Sequence, residues 1–376
     1  MHSLYIHIPF CLRRCIYCDF VSRLYNGEQA EHYVQLLKKE LRDIPSETFF
    51  STLFIGGGTP TALSGNALTN MIIHVFDSFQ FSADYEATIE ANPGTVDRDK
   101  LTAIRSGGIN RISIGVQSLN DEELTFLGRI HTGKEAEEAV ELAKAAGFRN
   151  VSIDLIYGIP GQSLSSWKSS LARAVELEPH HISTYELTVE KGTALDTMLQ
   201  SKGCPISSPD EDRTIEMYEY TIDYLTSRGY VHYEISNFAR PGYLCKHNMN
   251  YWERGEYYGI GLGAHSFIGK TRFSNTDNFE TYLHNLSTSR SPVREKEKIT
   301  DKKALAEVFF LGLRKTGGID LQAISKLYGL DIEKHFHKEI KELREAKLIY
   351  IDPSGSVLRL TRKGLALSNE VFIKFI

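Results

Sequence analysis

Through the first half of the chain, short β-rich apolar runs alternate with longer stretches of helical periodicity. The runs fall at Leu4–Ile8, Thr52–Ile55, Ala87–Glu90, Arg111–Val116, Asn150–Tyr157 and His181–Leu187. Between them the pattern predicts helices over 28–43, 64–79, 97–106, 120–145 and 163–177. Gly/Pro clusters punctuate the joins: Gly56-Gly57-Gly58-Thr59-Pro60, Asn92-Pro93-Gly94, Gly107-Gly108 and Gly158-Ile159-Pro160-Gly161. Strands alternating with helices predict an α/β fold with a parallel sheet. Six such units are too few for the eight of a closed barrel. Ligand sites in parallel α/β folds gather at the C-terminal ends of the strands, where several polar residues of this chain fall.

Beyond residue 200 the pattern changes. An amphipathic helix is predicted over 211–228 and a strand at Tyr230–Ile235, followed by a Gly- and aromatic-rich segment from Asn237 to Ser266. Helices are predicted again over 301–314, 319–328 and 333–346. Two short strands, Leu348–Ile351 and Val357–Leu360, and a last helix over 362–374 complete a winged-helix-like pattern. The expected division is 1–200, 201–293 and 294–376.

Composition changes this picture little. The 376 residues are 41% hydrophobic and 24% charged, ordinary for a soluble globular protein. A net charge of −5 leaves no global basic footprint for nucleic acid. Segment 294–376 is locally basic, with 17 Lys and Arg against 12 Asp and Glu. Its acidic residues (Glu339, Glu342, Glu345) are interleaved with the basic ones, as on a solvated, salt-bridged helix face, so no nucleic acid partner is expected. No apolar run reaches membrane-spanning length, and no targeting segment is expected.

The cysteines change it most. There are five, and three form C-x3-C-x2-C: Cys11, Cys15 and Cys18. Three soft thiolates on one short loop are one short of the four that a four-iron cluster takes, which leaves one iron open. The alternatives are a zinc site, disfavoured because no further Cys or His follows at ligand spacing before His32, and three unrelated thiols. Reduced thiols fit a cytoplasmic location. Cys204 reads as a spare thiol.

The segment Tyr5-Ile6-His7-Ile8-Pro9-Phe10-Cys11-Leu12-Arg13-Arg14-Cys15-Ile16-Tyr17-Cys18-Asp19-Phe20 resembles the radical S-adenosylmethionine (SAM) superfamily. Within it the chain is most similar to the group of the oxygen-independent coproporphyrinogen oxidases and the HemW-type haem chaperones. The resemblance implies a partial (β/α)6 barrel, a [4Fe–4S] cluster on Cys11, Cys15 and Cys18, and SAM chelating the open iron. An electron then cleaves SAM to a 5′-deoxyadenosyl radical, the cofactor carrying the chemistry while the protein orients and shields it. Gly57, Gly58 and Thr59 then look like the loop for the SAM amino group, although a Gly-rich turn alone is more often only a turn. Further SAM contacts are implied at Tyr5, Tyr17, Glu90, Gln117, Arg129 and Asp154. Such a ring of polar groups suits the ribose, carboxylate and adenine of SAM. The plainer alternative is that Glu90 and Asp154 cap helices or pair with Arg129, and that Tyr17 only shields the cluster.

His247-Asn248-Met249-Asn250-Tyr251-Trp252 reads H-N-x-x-Y-W and resembles a signature of the chaperone group. Imidazole is a common axial ligand of haem iron and aromatics stack on porphyrins, so His247, Tyr251 and Trp252 are the haem candidates. Cys245 and His265 are alternative ligands, and a His capping a loop beside a packed Trp is the plain alternative. C-x-H does not match the C-x-x-C-H pattern of covalent attachment.

Two functions compete: a haem carrier that hands haem to acceptor proteins, and a porphyrinogen-oxidising radical SAM enzyme. The oxidases carry a further cysteine two residues past the third ligand and a long extension before the motif. Here Phe20 stands at that position, and ten residues precede Cys11. Together with the H-N-x-x-Y-W signature, these features favour the carrier over a coproporphyrinogen dehydrogenase. The implied partners are haem, acceptor proteins such as respiratory enzymes, and a reducing electron donor. Peripheral membrane association during transfer and a homodimer are compatible with this reading.

Overall fold

The computed structural model describes residues 2–201 and 210–376; Cys204 lies outside the described residues. The six expected strands form as β1 (His2–Ile8), β2 (Phe49–Gly57), β3 (Gln80–Ala91), β4 (Arg111–Gln117), β5 (Val151–Tyr157) and β6 (His181–Glu186). They pair in chain order, all parallel. Between them lie helices α1 (Gly27–Glu40), α2 (Gly65–Ser78), α3 (Arg98–Ser106), α4 (Asp121–Leu127), α5 (Gly133–Ala145) and α6 (Leu164–Glu176).

Alternation along the strands separates two environments, because successive side chains point to opposite faces. One face carries Leu4, Leu53 and Ala87, then Ile6, Ile55, Ile89, Ile112 and Val151, then Ile114, Ile153 and Ile182. All are fully buried in the main core. The other face carries Ser3, Thr52 and Glu86 in one layer, Tyr5, Phe54, Thr88 and Arg111 in the next, and Glu90, Ser113, Ser152 and His181 above them. The lumen is therefore mostly polar. Several of its groups are satisfied across strands: Thr52 donates to the Ser3 hydroxyl at 2.7 Å, and Ser152 meets His181 Nδ1 at 2.8 Å, whereas Arg111 Nε has no partner among the described residues.

Helices α7 (Ala194–Gln200) and α8 (Glu211–Ser227) follow β6. Strands β7 (Val231–Glu234) and β8 (Asn237–Ala239) then extend the sheet beyond β6, antiparallel. After α9 (Lys246–Trp252), strand β9 (Tyr257–Ile260) crosses to the opposite edge and pairs with β1 in parallel, Ser3 with Tyr257 through Ile6 with Ile260. Strands β10 (His265–Ile268), β11 (Thr271–Asn275) and β12 (Val293–Lys298) continue outward, antiparallel. The Gly- and aromatic-rich segment thus contains a seventh parallel strand that the six-strand expectation did not include. The twelve-stranded sheet has two free ends, β12 and β7, so the barrel is partial.

The last part of the chain builds a three-stranded antiparallel sheet, Ile319–Asp320, Val357–Leu360 and Ile349–Ile351, packed with helices in the winged-helix manner. It has its own core, including Phe309, Leu313, Ile332, Leu358, Val371 and Phe375. Three predicted helices are reshaped here. The helix expected over 319–328 begins at Leu321, capped by Asp320. The one expected over 333–346 is two, Ile332–His335 and His337–Glu345, separated at Phe336. The last predicted helix breaks at Leu367 into Arg362–Ala366 and Ser368–Phe372.

The helix predicted over 120–145 is also two. Gly128, at φ 77°, ends α4: its N–H and that of Arg129 return to the carbonyls of Thr125 and Leu124. Thr132 opens α5 with a capping box, its hydroxyl accepting from Glu135 N–H while the Glu135 carboxylate accepts from Thr132 N–H. The periodic pattern hides this break, and the five-residue joint between the helices contains Arg129.

Candidate functional site

At the C-terminal ends of the parallel strands lies a cavity of about 480 Å³, within the range of small-molecule sites. Its lining includes Cys11, Cys15, Cys18, Tyr17, Gly57, Gly58, Thr59, Glu90, Gln117, Arg129 and Asp154. All three cysteines and eight of the nine SAM candidates thus meet in one place. Tyr5 is not among the lining residues. It stands deeper in the lumen, stacked on Phe54 with its hydroxyl 3.0 Å from His7 Nδ1.

The cysteine loop is tied down on several sides. Arg23 and Tyr25 N–H donate to the carbonyls of Pro9 and Cys11, Ile16 N–H donates to Leu127 O, and Leu195 N–H donates to Ile16 O. His7 Nε2 holds Val21 O at 2.7 Å. The three thiols are free, Cys11 buried and the others half-buried. Burial raises the pKa of Cys11 and of Cys18, the Thr59 hydroxyl (3.6 Å from Cys11 Sγ) partly offsetting it for Cys11. Among the described residues no three His, Cys, Asp or Glu side chains converge as for a single metal ion.

The glycine turn shows why its residues are small. A Cβ on Gly58 would stand 2.9 Å from Cys11 Sγ and 3.0 Å from the backbone of Pro9 and Phe10. Gly57 has φ 117°, and a Cβ there would meet the His7 ring at 2.6 Å. The turn's N–H groups are already used: Gly57 donates to Glu90 Oε2 (3.0 Å), Gly58 to Ile8 O (2.9 Å) and Thr59 to Phe10 O (2.8 Å). Any ammonium held here therefore meets carbonyls and carboxylates, not amides.

Arg129 reaches back from the helix break. Its Nη2 donates to Gly115 O at 2.6 Å and to Asn92 Oδ1, and its Nη1 lies 3.5 Å from Cys15 Sγ. Burial works against its charge, but Tyr17 and Cys15 beside it keep its pKa raised. Its Nε is buried with no hydrogen-bond partner among the described residues. It forms no ion pair with Glu90 or Asp154. Burial raises Glu90 to about 7, with Asp154 next to it adding to the effect. Burial also raises Asp154, which the Ser183 and Ser113 hydroxyls oppose; Ser113 Oγ lies 3.1 and 3.0 Å from its two oxygens. Gln117 adopts φ 66°, the left-handed region, at the point where β4 slips register against β5. A strained non-glycine residue at a strand end is a recurrent feature of ligand sites.

Sequence reasoning missed Asn92, which accepts from Arg129 and donates to Thr59 Oγ1 at 3.0 Å. It stands in Asn92-Pro93-Gly94, read only as turn punctuation.

The haem candidates lie elsewhere. His247, in α9, is buried at the lower end of the lumen. Its Nδ1 is 2.7 Å from Thr52 Oγ1, its Nε2 2.9 Å from Tyr251 OH, and its ring 5.1 Å from Phe54. This network assigns a neutral ring, donating from Nδ1 to Thr52 and accepting at Nε2, and burial depresses the pKa to about 3. Glu86 accepts the N–H groups of Lys246 and His247, both at 3.1 Å. Cys245 is buried beside Glu86 and pushed up to about 12 by burial. Trp252 lies beneath the Arg314 guanidinium at 4.3 Å, and its Nε1 is buried without a partner among the described residues. His265 is exposed on β10.

The residues at the upper cavity fit a cluster and SAM: a glycine cradle that a Cβ would fill from the cysteine side, an unpartnered Arg129 Nε, and three free thiols on one anchored loop.

Comparison with known proteins agrees. Residues 5–174 match the model of the radical SAM superfamily, and residues 299–367 match the HemN C-terminal domain. The chain is 37% identical to the "Heme chaperone HemW" of Lactococcus lactis over 376 residues, covering 100% of this chain and 97% of that one. It is 44% identical to the protein of the same name from Escherichia coli over 72% of this chain and 70% of that one. Among solved structures it resembles the coproporphyrinogen III oxidase HemN of Escherichia coli, a radical SAM enzyme, with a TM-score of 0.87 and 25% identity, covering 99% of this chain and 89% of that one. An open parallel sheet, a cysteine loop over its C-terminal end and similarity along the whole length thus agree: the chain belongs to the HemW family of the radical SAM superfamily.

Proposed function

We propose that this protein binds haem and passes it to acceptor proteins, and that it carries a SAM-ligated [4Fe–4S] cluster in the upper cavity. The observation that supports the haem reading is similarity along the full length to relatives named haem chaperones. Phe20, exposed at the cavity mouth in place of the oxidases' further cysteine, supports it over porphyrinogen oxidation.

In this reading Cys11, Cys15 and Cys18 hold the cluster, which supplies the electron chemistry of the superfamily when bound. Arg129 fixes the Cys15 side of the loop through Gly115 and Asn92, and offers its free Nε to a carboxylate. The Gly57–Gly58 carbonyls accept an ammonium. Glu90 and Asp154 accept hydroxyls, and Tyr17 and Gln117 close the flanks and exclude water. Tyr5 supports this set from below, through His7. His247, Tyr251 and Trp252 are the haem candidates that the resemblance brings, with both ring nitrogens of His247 engaged by Thr52 and Tyr251. An electron donor serves the cluster, and the free thiols suit the cytoplasm. Among the described residues no helix is long and apolar enough to cross a membrane.

The test is anaerobic reconstitution with iron, sulfide and SAM, followed by two assays on one preparation. One titrates haem by absorbance; the other follows coproporphyrinogen by HPLC. Stoichiometric haem binding without turnover is the expected result. Coproporphyrinogen consumption with stoichiometric 5′-deoxyadenosine makes the protein an oxidase and ends the carrier reading.

A further inference from the structure

Large apolar side chains stand in water around the mouth of the upper cavity. Phe20 and Leu24 are each 64% exposed, Leu12 48% and Ile130 42%. They are neighbours: Leu24 pairs with Cys11, next to Leu12, while Leu12, Arg13 and Ile130 line one shallow cleft. Arg13 also lines the main cavity with Arg14 and Phe20, so it joins the two parts of the patch. Arg13 and Arg14 are exposed, and among the described residues neither forms an ion pair. The cavity also has an acidic wall, formed by Glu186 at the end of β6 and Glu190 beyond it, and Asp19 beside Phe20 adds one carboxylate to the loop side.

From this juxtaposition we infer that the rim of the cysteine loop is a docking site for haem, with the macrocycle lying on Phe20, Leu12 and Ile130 and its propionates on Arg13 and Arg14. The inference rests on the haem-carrier reading and locates the cargo. Exposed apolar side chains in one patch mark a binding surface, and an aromatic ring offers a stacking face to a planar ligand. Guanidinium forks match carboxylates, so two adjacent arginines suit a ligand with two carboxylates along one edge. The acidic wall sets the orientation: the propionate edge turns towards Arg13 and Arg14 and away from Glu186 and Glu190. That same wall disfavours an acidic protein as occupant, since a broad negative face would meet those carboxylates as well as the arginines. The H-N-x-x-Y-W helix presents no comparable surface in this conformation, because both His247 nitrogens are engaged.

The test uses the full-length, cluster-reconstituted protein and titrates two ligands by Soret absorbance: haem, and the iron porphyrin whose propionates are methyl esters. R13E/R14E is expected to weaken haem about tenfold, the scale of two exposed ion pairs lost and reversed, and to leave the ester unchanged. F20D is expected to weaken both ligands, because it removes the stacking face. The substituted side chains are exposed, so folding is checked by circular dichroism and by cluster absorbance equal to wild type. If wild-type protein binds haem and both variants bind it equally well, the rim is not the docking site and the carrier reading stands. If wild-type protein binds no haem, the carrier reading falls and this inference with it. An equal loss of haem and ester in R13E/R14E also overturns the propionate assignment.

Discussion

Thr52→Val probes the lower end of the lumen with almost no change of shape. The Thr52 hydroxyl is the hinge of a buried relay: Tyr251 OH donates to His247 Nε2, Nδ1 donates to Thr52, and Thr52 donates to Ser3. Ser3, Thr52 and His247 are all buried. Valine fills the same volume, so no cavity opens, but the His247 Nδ1–H and the Ser3 hydroxyl each lose a partner. A buried polar group left unsatisfied costs about 1–3 kcal/mol, so with two such groups the variant should lose roughly 2–6 kcal/mol. Urea unfolding of both proteins at equal cluster content measures this as a shift in midpoint with unchanged slope. Thr52→Ser keeps the hydroxyl and should recover most of the loss. A destabilisation below about 0.5 kcal/mol, the ordinary range of a surface substitution, refutes the argument: the relay then carries no stability, and His247 stands free to serve another purpose.

Other outcomes follow from other contacts. Cys15→Ala should abolish cluster absorbance, since two thiolates do not hold the cube, while helical circular dichroism stays near wild type because the barrel core lies below the loop. Loss of the helical signal would make the cluster structural. Glu40, buried against Tyr282, Asn275 and Gly261 N–H, is raised to about 7 by burial. Its folded pKa exceeds the unfolded value of about 4.3, so the stability it contributes is complete below that value and is lost as pH rises through about 7. At ~1.4 kcal/mol per unit the loss amounts to roughly 4 kcal/mol, and Glu40→Gln should lack it; parallel stability curves for the two proteins between pH 5 and 8 would disprove the assignment. Gln117→Gly should stabilise the fold by about 1 kcal/mol by relieving the positive φ, and weaken SAM binding measured by equilibrium dialysis. Unchanged SAM affinity would remove Gln117 from the site.

Local signals carried far in this chain. The six strands, their glycine-rich ends and the C-x3-C-x2-C loop are readable because each is a pattern within a few residues. The topology rule that gathers ligand groups at strand ends then joins Gly57, Glu90, Gln117 and Asp154 in one cavity. What failed was mostly non-local. Strand β9 is legible only through its pairing with β1, and the engagement of His247 depends on Thr52, 195 residues away in sequence. The break at Gly128 was visible as a glycine but was masked by helical periodicity on both sides. Asn92 was hidden by its place in a turn motif, where asparagine ordinarily needs no further explanation.

The pairing of β1 with β9 has a consequence for how the molecule is made. Ser3 meets Tyr257, so one edge of the first strand stays unpaired until on the order of 250 further residues have left the ribosome, which at ~5–20 residues per second takes roughly 10 to 50 seconds. In that interval β1 to β6 can pair in order behind it, but a strand rich in Ile and Leu offers its open side to any passing chain. The cysteine loop hangs from that same strand. A nascent chain stalled before β9 therefore exposes an aggregation edge next to three free thiols.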